Sequence, residues 1–339
     1  MRPVYVRAAA AVSAFGFGWR GLGEAVMDGW RGIAAADQLA ATHGAVQGAQ
    51  VPEIAPGIDI EARARKLMSR SARLAAIALA QALGEAGWRA DERAGAALYL
   101  GVGASGCAMD ELTRMLAPCM VDGQFALDRF GTQGLAACNP LFAFQLMNNF
   151  TLCHGAILNG TMGPNGAFYS RGSGTVAALS EAHWLIASGE CGQALAGGAD
   201  SALHPVTWAQ LVADGFARQG LVPGEGAGLL ALSGSSDGAL ARLVSVRFDS
   251  VQAIVAALDA AASDDLVLSA AWGEPARAAL GARPQADLGM ALGDALAAAP
   301  ALAWCAGLDL IMSRRAQRVF VVSAGIDGVA GLALLEALP

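Results

Sequence analysis

Apolar residues along this chain follow two rhythms. Short, almost unbroken apolar runs occur at Val4–Val12, Ala96–Leu100 (AALYL), Ala167–Tyr169, Gln193–Ala196, Gly228–Leu232, Leu243–Phe248 and Leu266–Ser269. Runs of that length predict strands, and AALYL a buried one. Between them lie longer alanine-rich segments with helical spacing: Ser71–Gly84, Glu111–Leu116, Pro140–His154 and Thr175–Ser188. The first is closed by glycine, a helix C-terminus signal. Strands alternating with helices predict an α/β protein of layered sheets. A polar stretch, SGSSDG at 233–238, is the best boundary, dividing the chain into 1–237 and 238–339. No short-period repeat is visible.

Composition sharpens this picture. Hydrophobic residues make up 55% of the 339 and charged residues only 15%, so most of the chain must be buried, which excludes a disordered protein. A mean hydropathy of +0.44 raises the question of a membrane. Gly, Asp, Arg and Glu, however, cut every apolar stretch short of the ~18 residues a spanning helix needs. The hydropathy comes mostly from Ala and Gly, which suits tightly packed layers, and a charge-poor surface suits a permanent partner. Arg2 and Arg7 ahead of Ala8–Ala11 imitate a signal peptide faintly. The short apolar core favours a first strand in a cytoplasmic protein, where the sequon Asn159-Gly160-Thr161 carries no meaning.

Net charge is −7, Lys66 is the single lysine, and no basic stripe of the kind nucleic acid requires is present. Cys107, Cys119, Cys138, Cys153, Cys191 and Cys305 are scattered without CxxC pairs and are expected to be buried, reduced thiols. The four histidines lack metal-ligand spacing. Neither a metal nor a cofactor is expected.

Four local signals compete for a function. Gly101-Val102-Gly103-Ala104-Ser105-Gly106 is a literal GxGxxG after a strand. A dinucleotide site would also need a second strand ending in an acidic residue, which is missing, so a glycine-rich strand-to-helix turn is the simpler reading. Cys153-His154 could be a nucleophile and base, but adjacent helix residues point about 100° apart, and no carboxylate is placed to orient the histidine. Ser170 and Ser173 flank a turn but fall outside GxSxG, and Ser173 is placed to cap a helix. The turn itself, in GPNGAFYSRGSGTVAALSEA at 163–182, is a strand running into a helix N-terminus, where a nucleophile is often mounted. Its tip is Gly172, which has no side chain.

GPNGAFYSRGSGTVAALSEAHWLIASGECGQALAGGAD at 163–200 resembles the core of the β-ketoacyl-ACP synthases, in the thiolase-like superfamily. Gly163-Pro164, Ile186, Gly189-Glu190-Cys191 and Ala196-Gly197-Gly198 keep that family's frame. Gly224-Glu225-Gly226-Ala227-Gly228 looks like its GEGAG turn, and Gly101–Gly106 matches its glycine-rich turn after an early strand. The resemblance implies an α/β, thiolase-like layered fold (α-β-α-β-α) of two related halves, the C-terminal half shortened. By position, the family's nucleophilic cysteine falls on Gly172. Its first active-site histidine falls on Trp272 in Ala271-Trp272-Gly273, and its second on Asp294 in Leu292-Gly293-Asp294-Ala295-Leu296. Its lysine falls near Gly289, and the closing Gly-Phe-Gly-Gly loop on Gly325-Ile326-Asp327-Gly328.

Condensation by that family needs a thiolate to hold the acyl chain and two imidazoles to polarise the malonyl thioester. Glycine forms no thioester, Trp272 cannot accept a hydrogen bond, and an ionised Asp294 would repel a developing enolate. The resemblance therefore implies a subunit with no chemistry of its own, like the chain-length factors that pair with an active ketosynthase, among them those of aryl polyene clusters. The usual chain-length factor carries Gln where this chain has Gly172. In such a pair, the strand before the elbow would meet the partner across the dimer axis. NPLFAFQLMNNFTLCHGA at 139–156 would line the acyl tunnel, with Phe142, Phe144, Met147 and Phe150 as candidates and Ile326 at the gate. The acyl carrier protein, being acidic, would dock mainly on the partner. Two other readings remain open at this stage: an acyltransferase or thioesterase using a displaced Ser173 or Cys153, and a homodimer that only binds acyl thioesters.

Overall fold

The computed structural model describes residues 1–55, 57–58, 60–104, 106–259, 261–271 and 274–339. Ten strands carry the fold: β1 (Val4–Ser13), β2 (Ala97–Val102), β3 (Asn165–Tyr169), β4 (Gln193–Ser201), β5 (Glu225–Ser233), β6 (Ala241–Ser250), β7 (Leu266–Ala271), β8 (Ala286–Asp287), β9 (Arg318–Ala324) and β10 (Val329–Ala337). They lie in the order β8-β7-β9-β10-β6-β1-β5-β4-β2-β3.

The two ends of that list are copies of each other. In each five-strand set the first strand pairs antiparallel with the fifth, the fifth antiparallel with the fourth, and the fourth, second and third run parallel. Among the described residues the two sets pair strand to strand only where β1 and β6 start, at Val4↔Leu243, Tyr5↔Arg242 and Val6↔Ala241. The stretch 233–238 runs from the last residue of β5 into the link to β6, where one set ends and the next begins.

Helices follow the same repeat. α1 (Arg70–Ala86) and α2 (Phe150–Asn159) cover the outer face of the first set, around a core that includes Leu74, Ile77, Leu98, Leu195 and Leu229. α3 (Ser173–Ser188) and α6 (Ala299–Met312) lie between the two sets, packed into the largest core with Val176, Leu179, Leu302, Trp304 and Leu308. α4 (Val251–Leu258) and α5 (Glu274–Leu280) cover the outer face of the second set with Ile254, Leu258 and Leu280. The result is the five-layer, thiolase-like α-β-α-β-α architecture.

Local sequence explains the layers. α1 starts where Ser69 Oγ accepts from Ala72 N at 3.2 Å, and it stops at Gly87, which is left-handed. α6 is buried from Pro300 to Ile311, as a helix apolar on all sides must be. Its buried Asp309 is satisfied by the amides of Gly21, Gly23 and Glu24 at 2.8–3.2 Å. β4 and β5 are Ala, Gly and Leu almost throughout because helices press on both faces.

Two expectations need correction, and the shortened C-terminal half is located. The helix expected over Pro140–His154 is interrupted: a 3-10 turn (Pro140–Phe142) and a short helix (Ala143–Leu146) end at Met147, whose backbone is extended, and α2 starts afresh at Phe150. Gln145 holds the break, its Nε2 donating to the Lys66 carbonyl and its Oε1 accepting from Ala108 N. GEGAG is no turn but the start of β5, and its Glu225 is fully buried. Arg70 grips it with Nη2–Oε1 at 2.6 Å and Nε–Oε2 at 3.1 Å, while Val51 N and Ser201 Oγ also donate to it. The C-terminal set keeps all five strands, so its shortness lies in its connections. Gly103–Pro164 joins β2 to β3, whereas β7 reaches β8 through little more than α5.

Candidate functional site

The elbow between β3 and α3 is Ser170-Arg171-Gly172. Gly172 has φ +141° and ψ −59°, a region that side-chain-bearing residues rarely enter. A Cβ placed on it would lie 2.5 Å from Gly325 Cα. The backbone of the closing loop thus occupies the volume a nucleophile would fill.

That loop is fastened to the elbow. Gly325-Ile326-Asp327-Gly328 joins β9 to β10. Asp327 Oδ2 accepts from Ser170 Oγ at 3.0 Å and from Ser173 Oγ, and Oδ1 accepts from Val329 N at 3.3 Å. The two serine oxygens are 2.7 Å apart, and Ser170 Oγ accepts from Gly174 N at 2.7 Å. Ser170, not Ser173, therefore satisfies the first turn of α3. Thr175 N donates to Gly172 O, and Arg171 reaches away to Asp214 at 3.3 Å. The amides of Gly174 and Thr175 are thus committed within the elbow, leaving neither to hold an oxyanion.

No imidazole approaches these serines. Each histidine ring is tied to a backbone carbonyl elsewhere: His43 to Pro205 at 3.0 Å, His154 to Leu67 at 3.1 Å, His204 to Cys107 at 2.8 Å, and His183 to Leu243. Burial holds His154, His183 and His204 below the usual histidine range. His154 is given to Leu67 rather than to Cys153, whose thiol is pushed up by burial, so the two do not form a catalytic pair. All six cysteines are free thiols, and Cys107, Cys119 and Cys305 are buried.

Trp272 lies outside the described residues. Asp294 sits in the loop between a short helix (Leu288–Leu292) and α6. Its N–H donates to Val222 O at 2.7 Å, its carbonyl accepts from Gly224 N at 2.9 Å, and its Oδ1 accepts from Leu296 N at 2.7 Å. Burial pushes its carboxyl up to about 7, against the pull of Leu296 N–H and Arg277. This loop touches the elbow helix, because Thr175 Oγ1 donates to Ala297 O.

No local pattern marks Asp200, which is completely buried near the end of β4. It accepts from Ser201 N at 2.8 Å and Ala297 N at 3.4 Å, and burial, with a smaller contribution from Asp294, pushes it up to about 7. Asp200 also explains the false nucleotide signal. A Cβ on Gly103 would collide with its carboxylate, and one on Gly101 with Thr175, so these glycines allow β2 to close onto α3 and β4. The only local signal for Asp327 was an acid at a position of the closing loop where the family has glycine.

The aromatic segment divides. Phe142 is 2% exposed, enclosed by Cys107, Met115, Phe130 and Cys138. Phe144 stacks edge-on against Phe150 at 4.8 Å, Phe150 lies 5.3 Å from the His154 ring, and Met147 is exposed. Ile326 packs with Leu203, Trp208, Leu211 and Leu296. Beyond them, Ile157, Leu158, Met162 and Tyr169 form exposed apolar surface on α2, the turn after it and β3. Among the described residues β3 pairs only with β2, so its other edge is open.

No curated protein sequence matches the chain. Solved structures share its fold along the whole of both chains. The ishigamide ketosynthase/chain length factor aligns at 18% identity with a TM-score of 0.79. A β-ketoacyl synthase from Burkholderia phymatum STM815 aligns at 17% and 0.79. A type II polyketide synthase acyl-carrier protein in complex with its ketosynthase bound to the hexaketide (AntDE:AntF) aligns at 12% and 0.76. No helix among the described residues is long and apolar enough to cross a membrane. The profile of the β-ketoacyl synthase N-terminal domain matches residues 34–238, more than half of the sequence, and the chain belongs to the β-ketoacyl synthase family.

Proposed function

We propose that this chain is a non-catalytic, chain-length-factor-type subunit. It pairs with an active ketosynthase in the cytoplasm and shapes the tunnel in which that partner's acyl chain grows, in polyketide, aryl polyene or fatty-acid-type biosynthesis. The observation that carries this reading is the closed elbow: Gly172 is in a glycine conformation, and Gly325 backbone stands where a thiol would project. A subunit that cannot hold an acyl group can still contribute walls and an interface. The open edge of β3 and the exposed apolar residues of α2 supply a surface that a second polypeptide would cover. One structural relative is itself a ketosynthase/chain length factor, and another holds an acyl-carrier protein on its ketosynthase. With a net charge of −7 on this chain, the acidic carrier docks mainly on the active partner. Phe144, Met147 and Phe150 are the residues assigned to the tunnel, with Ile326 near the closing loop. Phe142 acts first on the stability of its own cluster.

The displaced-serine reading loses ground because Ser173 shares one carboxylate oxygen with Ser170 and has no imidazole. The test is co-expression with an intact ketosynthase. The proposal expects poor solubility alone and one-to-one copurification. A soluble monomer that releases free acid from an acyl thioester, and loses this on Ser173→Ala, would overturn it.

A further inference from the structure

Two cavities meet at Asp294, and no residue lining either belongs to the elbow at Ser170–Thr175. The outer one has a volume of ≈ 300 Å³, at the small end of ligand pockets. Its wall is made by three separate pieces of chain. A two-stranded hairpin (Ile33–Ala35 with Gln47–Ala49) supplies Arg31 just before its first strand, and Gln47. Gly32 N donates to Ala291 O at 2.8 Å, which stitches this hairpin to the short helix Leu288–Leu292. The loop before β5 supplies Gln219 and an apolar wall of Leu221 and Val222, and α5 supplies Arg277.

The polar groups of this pocket are unequally committed. Arg277 gives Nε to Asp287 Oδ2 at 3.2 Å, and Asp287 is further held by Gly289 N at 2.8 Å. That contact uses one of the five guanidinium N–H donors. Arg31 is exposed and forms no ion pair among the described residues. Arg277 and Asp287 cancel each other, leaving Arg31 as the uncompensated charge. Asp294 on the floor gains a proton near neutrality, and in that form it donates to an anion instead of repelling it.

We infer that this pocket binds a small monocarboxylate with a short apolar tail, its carboxylate held between Arg31 and Arg277 and its tail against Leu221, Val222 and Met290. One net positive charge matches a monoanion better than a dianion, and guanidinium forks bind carboxylates in a paired geometry. The apolar wall favours a tail over a bare ion. The pocket includes Asp294 and Gly289, the positions to which the resemblance assigns the family's second histidine and its lysine, but none of its lining residues comes from the elbow, so hexanoate binding is read separately from acyl transfer.

The test is titration of the full chain, in complex with its partner if it is insoluble alone, with sodium hexanoate, read by saturation-transfer NMR and calorimetry. Saturable binding is expected, weakened roughly tenfold by Arg31→Gln, an exposed change that leaves the fold intact. Arg277→Gln should weaken it further, with circular dichroism checking the fold. Hexanol, which keeps the tail without the charge, should not saturate, and inorganic phosphate should bind more weakly than hexanoate. Absence of saturable hexanoate binding, equal binding of hexanol, tighter binding of phosphate, or unchanged affinity in Arg31→Gln would each overturn the inference.

Discussion

Gly172 and Gly325 are in backbone contact: a Cβ on the first would stand 2.5 Å from the Cα of the second. The loss of the nucleophile and the position of the closing loop are therefore one structural fact. Restoring a cysteine by Gly172→Cys should not restore a reactive thiolate. It forces a side chain into φ +141° and displaces residues 325–328, at a cost of about 2 kcal/mol. Chemical denaturation measures the cost, and acyl transfer to the variant should stay at background.

The clamp at Asp327 makes a separate prediction. Asp327→Ala removes the acceptor shared by Ser170 and Ser173, so amide exchange over Gly325–Val329 should accelerate. Asp327 is exposed, so global stability should move little. Unchanged exchange would show that the loop is held by Ile326 packing alone.

Much of this fold was legible in the sequence. Apolar runs placed β1, β2, β4, β5 and β7, because strands buried under helices on both faces need no alternation, and β6, whose second half is exposed, was legible from Leu243–Phe248 all the same. The segment Pro140–His154 was misread because Phe142, Phe144 and Met147 suggest a helical period while the break depends on Gln145 bonding to Lys66 and Ala108, far away in sequence. Gly172 stood out by what it lacks. Its contact with Gly325, the Asp327 clamp and the burial of Asp200 join residues more than ninety positions apart, and no local pattern encodes them.

Glu225 and Arg70 form an ion pair with one member fully buried. Arg70→Ala leaves that carboxylate without its cation and should cost about 3 kcal/mol. Guanidinium-chloride unfolding checks this, and the double variant Arg70→Ala with Glu225→Gln should recover part of the loss.

Asp200 gives the protein a pH dependence. Its carboxyl is raised from 3.8 to about 7 on folding, so the unfolded chain gives up this proton more readily than the folded one. The stability this neutral group preserves is fully present below pH 3.8 and is lost as pH rises through about 7, a change on the order of 4 kcal/mol. Asp294, raised to about 7, acts in the same window. Asp200→Asn should flatten the profile of denaturation midpoint between pH 4 and 8, and an unaltered slope would remove Asp200 as its source.

In the proposed pair, Phe144→Ala should lengthen the products without slowing the first condensation, since it enlarges the tunnel and leaves the partner's chemistry intact. Ile157→Glu, on exposed apolar surface of α2, should weaken the pair by placing a charge in the interface. Chromatography of products and native mass spectrometry read these two outcomes.

The most direct measurement is intact-mass analysis of the copurified complex after incubation with an acyl thioester. The active ketosynthase should gain the mass of one acyl group while this chain remains unmodified. An acyl adduct on this chain, at Ser173, Cys153 or any other residue, would contradict the account.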